Sequence, residues 1–168
     1  MTDTMTPEQR SRCMAAIKGK DTKPEMIVRR YLHSLGYRYG LHNRNLPGSP
    51  DLVLRKYKTV IFIHGCFWHG HDGCKYNRLP KSNVEFWQEK ITRNRQRDQE
   101  AVRFLKEKGW NVITIWECDL KSRDKRETTL RKLNLQLRKL RLPYKGYGIE
   151  IQPAIAAENE IEYSKVDN

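Results

Sequence analysis

Cys66, His71 and Cys74 fall within nine residues, in a stretch that also offers His64, His69 and Asp72. Thiolates and imidazoles are the ligands a tetrahedral zinc ion takes, so this one loop can supply three of four bonds. Cys118 follows the run that ends in Trp116 and Glu117. It can supply the fourth bond if the strands ending at Ile63 and Trp116 are neighbours. The reading is a Cys3His site of Cys66, His71, Cys74 and Cys118, closed by four protein ligands and therefore structural. The plainer alternative is a set of buried thiols and surface imidazoles without metal. Cys13, alone on a helix, stays outside it.

That assignment leaves His64 and His69 free for other work. His64 ends an apolar run beside Gly65, where side chains emerge at the rim of a sheet, and His69 lies nearby on the same loop. Imidazoles titrate near neutral pH and can act as base or acid. His33 and His42 are read as satisfied structural histidines. Asp51 opens an apolar strand after Ser49-Pro50; it is either a turn cap or an anionic oxygen for a hard cation. With Glu25 in the first turn of a helix, these residues are the parts for hydrolysing a phosphodiester. A Mg²⁺ ion would stabilise the charged phosphorus centre, and a base would activate water.

The overall charge says whose phosphodiester it would be. Lys+Arg 33 against Asp+Glu 20 gives +13 over 168 residues. The excess sits before residue 143, because residues 143–168 hold two Lys and five acidic residues. Such a surface suits a polyanion, nucleic acid before membrane, since no basic helix has an apolar face bulky enough to enter lipid. No apolar run nears the roughly 20 residues needed to span a bilayer, and the N-terminal residues lack a signal peptide's apolar stretch. The expectation is a cytoplasmic protein with reduced cysteines.

The elements that must position these groups follow from the spacing. Thr6-Pro7-Glu8-Gln9 predicts a short helix to about Ile17. Thr22-Lys23-Pro24-Glu25 repeats the device, and Ile27, Val28, Tyr31, Leu32 and Leu35 continue the helix to Gly36. Tyr37 to Leu41 reads as a strand, and a breaker cluster follows from Asn43 to Pro50. Leu52-Val53-Leu54 and Val60-Ile61-Phe62-Ile63 are strands joined by a tight turn at Lys56-Tyr57-Lys58, the second apolar enough to be covered on both faces. Val84 to Lys108 predicts a long helix with Trp87, Ile91, Val102 and Leu105 on one stripe. Asn94 and Asp98 interrupt that stripe, which marks either a partly exposed stretch or the lining of an active cleft. Gly109, a strand from Trp110 to Trp116 and a last helix marked by Leu130, Leu133, Leu137 and Leu140 complete an α/β chain. The expected domain is 1–142, with residues 143–168 an extension of low order.

Pro50-Asp51, the run Ile61-Phe62-Ile63-His64-Gly65-Cys66-Phe67-Trp68-His69-Gly70-His71, and Glu85-Phe86-Trp87 closely resemble the very short patch repair (Vsr) DNA mismatch endonucleases. The likeness begins at Ser11 to Ile17 and Asp21-Thr22-Lys23-Pro24-Glu25, and passes through Leu46-Pro47-Gly48 and Asn94 to Asp98. It ends at Gly109-Trp110 and Trp116-Glu117-Cys118, covering about residues 6 to 142.

The resemblance implies a restriction-endonuclease-like αβββαβ core, a mixed sheet flanked by helices with a zinc-stabilised loop. It implies an enzyme that nicks one strand of double-stranded DNA beside the T of a T·G mismatch left by 5-methylcytosine deamination. Asp51 would hold Mg²⁺ together with the Ile63 backbone carbonyl, and His69 would be the general base. His64 and Glu25 would assist through water or phosphate, and Asp98 would orient His64. Zinc would be held by Cys66, His71, Cys74 and Cys118. Phe67, Trp68 and Trp87 resemble aromatics wedged beside the mismatch, although Trp87 also fits a core position. The helix over residues 6–18, bearing Met14, would be a DNA-contacting arm, and Lys90 and Asn94 match base-contacting positions. Two departures stand out: Asp72-Gly73 lengthens the loop, and Ile63 stands where some members have Thr. The implied protein is a monomer in a bacterial-type cytoplasm, near the nucleoid, with mismatch-repair proteins as candidate partners. The rivals are a restriction-like nuclease of other specificity and a zinc-stabilised DNA-binding module without activity.

Overall fold

A computed structural model of the chain describes residues 6, 8, 9, 12, 16 and 19–140. Met14, most of the helix expected over 6–18 and the whole extension over 143–168 lie outside the described residues. Helix α1 (Lys23–Ser34) begins at Thr22, whose Oγ1 accepts the Glu25 N–H at 3.4 Å. It ends where the Tyr37 N–H reaches the Leu32 carbonyl and the Gly36 N–H reaches His33, with Gly36 at φ +80°. That paired closure requires a left-handed residue, which glycine supplies. Helix α2 (Val84–Glu107) closes in the same way through Gly109 and Trp110.

Four strands make one mixed sheet in the order β1 (Gly40–Leu41), β2 (Leu52–Leu54), β3 (Thr59–His64) and β4 (Asn111–Trp116). The first two pairings are antiparallel and β3–β4 is parallel, with α2 as its crossover. Helix α3 (Arg123–Lys139) follows. The sequence is therefore helix, three strands, helix, strand and helix, a restriction-endonuclease-like αβββαβ arrangement.

The expected strand from Tyr37 is shorter than its pattern suggests. The Tyr37 hydroxyl donates to Asn134 Oδ1 at 2.8 Å and the Tyr39 hydroxyl to the Arg29 carbonyl at 2.9 Å, which fixes this segment to α3 and α1. The last helix starts earlier than its leucines mark, at Arg123 after Ser122.

Alternation along the strands sorts two cores. Leu52, Leu54, Ile61 and Ile115 pack with Val28 and Leu32 of α1 and with Leu130, Leu133 and Leu137 of α3. Val53, Val60 and Phe62 pack on the other face with Leu105 of α2. A two-residue period then carries His64 to the face of Phe62, toward α2. The alternation that builds the core thus also aims the histidine.

Candidate active site and metal centre

Parallel register pairs His64 with Trp116. Two residues past that pair on each strand stand Cys66 and Cys118, so the sheet itself brings a loop cysteine and a distant cysteine together. A run of tight turns then folds the loop back: the His69 N–H donates to the Gly65 carbonyl at 3.2 Å, His71 to Cys66 at 2.9 Å and Cys74 to His71 at 3.3 Å.

The ligand atoms of Cys66, His71, Cys74 and Cys118 all lie within 4.8 Å of one another, with Cys118 Sγ 3.5 Å from His71 Nδ1. A tetrahedron with zinc bonds of about 2.3 Å to sulfur and 2.0–2.1 Å to nitrogen has edges of roughly 3.5–3.8 Å. Burial, and then the adjacent Cys66, push the Cys118 thiol up to about 12. Thiols crowded this closely cannot all ionise unless a cation sits among them. The donor set and its electrostatics fit a bound Zn²⁺.

Gly70 sets the loop against α2. It adopts φ +59°, and a Cβ there would stand 2.7 Å from Ile91 Cγ2 and 2.8 Å from Arg95 Cδ. Gly73, at φ +67°, faces open space. Gly73→Ala is expected to cost about 1–2 kcal/mol from its left-handed backbone alone. Gly70→Ala should cost about 1–3 kcal/mol more through overpacking. Equal unfolding free energies for the two variants in urea would argue against this packing.

With the loop fixed, His69 stacks on His64, ring centroids 3.8 Å apart and planes at 5°. His69 Nδ1 lies 2.5 Å from Asp98 Oδ2 on α2. Burial opposes ionisation of Asp98, but the bond and charge of His69 outweigh it and hold the carboxyl below its usual range. A carboxylate acceptor makes Nδ1 the donor and leaves Nε2 with its lone pair. This differs from the arrangement the resemblance implies: Asp98 bonds His69 and not His64, because His69 covers His64 on the α2 side. His64, 8% exposed, is pushed down to about 4 by burial and by the neighbouring His69, so its ring is neutral near pH 7. Both polar interruptions of the α2 stripe face the loop, since Asn94 Nδ2 donates to the Trp68 carbonyl at 2.9 Å.

Asp51 stands at the other wall. Its Oδ2 accepts the Ile63 N–H at 2.6 Å. Burial raises its carboxyl above the usual value, the Ile63 bond offsets part of this, and the charge of Glu25 adds to it. Glu25 is 2% exposed; its Oε2 accepts the Asp21 N–H at 2.9 Å and its Oε1 lies 3.3 Å from Arg29. Asp51, Glu25, His64, His69 and Asp98 together line one cleft of about 400 Å³. A more open hollow of about 750 Å³ lies on the other flank of the histidines, lined by Arg95, Arg103 and Lys106. It lacks Asp51 and Glu25, so the acids and the histidine pair converge on the smaller cleft alone. A half-buried carboxylate whose charge is disfavoured by a second one is a fitting seat for a hard divalent cation.

Phe67, Trp68 and Trp87 form an edge-to-face cluster with centroids 5.1–5.8 Å apart, and Trp68 also lines the smaller cleft. Lys90 Nζ lies 5.5–5.6 Å from the Trp87, Trp68 and Phe86 rings. Two members of the site were not foreseen from sequence. Phe86, 53% exposed, extends the cluster. Trp116 stacks on His71 at 4.0 Å and meets His64 edge-on at 5.4 Å, joining the cysteine site to the histidine pair. An apolar strand end gives no signal for such a role.

The chain matches the family model described as DNA mismatch endonuclease Vsr over residues 2–75. It is 46% identical over 133 residues to the type II nicking enzyme V.XorIIP of Xanthomonas oryzae, covering 79% of this chain and 97% of that relative. To the type II nicking enzyme V.NmeAIP of Neisseria meningitidis it is 50% identical, over 73% of this chain and 87% of the relative. To the DNA mismatch endonuclease Vsr of Escherichia coli K12 it is 41% identical, over 74% and 80% of the two chains.

Proposed function

This chain belongs to the Vsr family of DNA mismatch endonucleases, and from that premise we propose that it nicks one strand beside the T of a T·G mismatch in a Mg²⁺-dependent reaction. The observation that carries this reading is the His69–Asp98 pair facing Asp51 across one cleft. Asp51 would hold the cation together with the Ile63 carbonyl, because the N–H and C=O of a strand residue point to the same side and the N–H already reaches Asp51. When bound, Mg²⁺ supplies charge stabilisation for the scissile phosphate. His69 Nε2 takes the proton of the attacking water, with Asp98 holding the ring's tautomer and direction. Neutral His64 backs the His69 ring from the sheet side. Cys66, His71, Cys74 and Cys118 would hold a Zn²⁺ that keeps the loop in shape.

Phe67, Trp68 and Trp87 enter the duplex at the mismatch, where unstacking costs least. Lys90 and Asn94 lie beside them, and Met14 belongs to the arm that meets the same DNA. The enzyme acts as a single chain on DNA in the bacterial cytoplasm, with mismatch-repair proteins as partners. A second reading, nicking in another sequence context, is favoured by relatives that are named type II nicking enzymes.

The direct test incubates the protein with end-labelled T·G and fully matched duplexes, with Mg²⁺ or with EDTA. Nicking only of the T·G duplex and only with Mg²⁺ supports the proposal. Equal cutting of both removes the mismatch specificity, and cutting of neither leaves a binding module. Asp98→Asn should slow nicking on the order of 10²-fold with unchanged duplex affinity; a normal rate would remove His69 as the base. Trp68→Ala should weaken T·G binding by about 1–3 kcal/mol. Anisotropy titration in EDTA reads this, and an unaltered Kd would argue against the wedge.

A further inference from the structure

His42 is not among the residues that line the cleft, yet it touches both acid-bearing segments that do. Its ring Nε2 lies 3.1 Å from Glu25 Oε1, and its main-chain N–H donates to the Asp51 carbonyl at 3.1 Å. The residue adopts φ +44°, a left-handed conformation that side chains avoid unless the surroundings impose it. Nε2 is closed to solvent and sits off the line of a hydrogen bond to any group among the described residues. The 3.1 Å approach to Glu25 Oε1 is thus an ion-pair contact and not a well-aligned hydrogen bond. From the helix side Arg29 and the Asp21 amide hold the same carboxylate. Among the described residues, His42 approaches it from the end of β1, the strand that pairs with the one Asp51 leads into.

We propose that His42 is a positioning residue: its ring fixes the Glu25 carboxylate while its amide fixes the start of the Asp51 strand, so that the two acids keep one spacing in the cleft. This rests on the reading of Asp51 and Glu25 as the acids of the nicking site. The main-chain half of the device survives any substitution, so side-chain variants isolate the ring's contribution. His42→Leu keeps the bulk and removes the nitrogen, whereas His42→Gln keeps a donor that can reach Glu25. A displaced group at a reacting centre slows the chemical step far more than it weakens binding.

The test uses the full chain with its zinc. Single-turnover nicking of the T·G duplex at saturating Mg²⁺ is measured for His42→Leu, His42→Gln, Glu25→Gln and the double variant Glu25→Gln with His42→Leu. Duplex affinity in EDTA and thermal midpoint are measured alongside. The expected result is a loss of about tenfold or more for His42→Leu, a rate within about threefold of the parent for His42→Gln, and unchanged duplex affinity and midpoint for both. Because the ring acts through Glu25, the double variant should be no slower than Glu25→Gln alone. A normal rate in His42→Leu, no recovery in His42→Gln, multiplied losses in the double variant, or a loss that follows the midpoint would each overturn the proposal. Should Glu25→Gln nick at the parental rate, the role of Glu25 itself falls and takes that of His42 with it. Normal Glu25→Gln activity thus separates the two failures.

Discussion

Asp51→Ala is expected to lower T·G nicking on the order of 10⁴-fold, equivalent to about 5 kcal/mol of transition-state stabilisation, while folding and zinc content stay normal. The expectation comes from where the carboxylate sits. It is buried enough to be held above its usual range, it is bonded to Ile63, and it shares its cleft with the His69–Asp98 pair. On the proposed reading, removing it deletes the charged seat for the cation but no core contact, because the strand that follows, Leu52 to Leu54, is anchored by its own buried side chains. Isosteric Asp51→Asn should be as inactive, since it keeps shape and loses charge. Single-turnover rates over a Mg²⁺ titration check this, with elemental analysis as the folding control. Nicking retained within tenfold in either variant would take the cation away from Asp51.

Cys118→Ser is expected to fail in the opposite manner. It should lose its zinc, fall by about 10 °C or more in thermal midpoint, and nick poorly because the loop carrying His69 loosens. A structural zinc site stabilises the fold outright, and with three ligands left the loop keeps its turn hydrogen bonds, the packing of Gly70 on α2 and the part-exposed polar contacts from Asn94, Arg95 and Asp98 of that helix. The two cores on either side of the sheet contain none of the other ligands. The damage should therefore centre on residues 66–77 and spread to His64 through Trp116. Calorimetry and elemental analysis on the purified variant read both effects. One zinc per chain at an unchanged midpoint would place the fourth ligand elsewhere. The pair of variants separates chemistry from scaffold: the first is stable and inactive, the second unstable and metal-free.

What the sequence made legible was whatever depends on short spacing or strict alternation. Gly36 and Gly109 mark helix ends because the closing hydrogen bonds demand a left-handed residue. Cys66, His71 and Cys74 are close in space because they are close in the chain. Cys118 joins them because the parallel pairing of His64 with Trp116 carries both strands out at the same sheet edge. The interrupted stripe of α2 was legible as an anomaly, and the loop explains it through Asn94 and Asp98.

The rest depends on tertiary geometry that no period encodes. Whether Asp98 reaches His64 or His69 is decided by which ring lies on top of the other, a matter of a few ångströms. The Tyr37 strand pattern yields to side-chain hydrogen bonds with the helices. Glu25 and His42 meet only after the chain has turned through Gly36 and crossed back beside Asp51, so a histidine that reads as a satisfied structural residue ends up against a buried carboxylate. Trp116 looks like any strand-end aromatic until the fold stacks it on His71.

The most direct measurement is to sequence the nick ends produced, with Mg²⁺, in a duplex pool whose bases flanking one T·G pair are randomised, mixed with the same pool carrying a matched pair. The account predicts breaks in one strand beside the mismatched T, in a restricted set of flanking contexts, and none above background in the matched pool. Breaks at equal frequency in matched molecules, or at positions unrelated to the T, would contradict it.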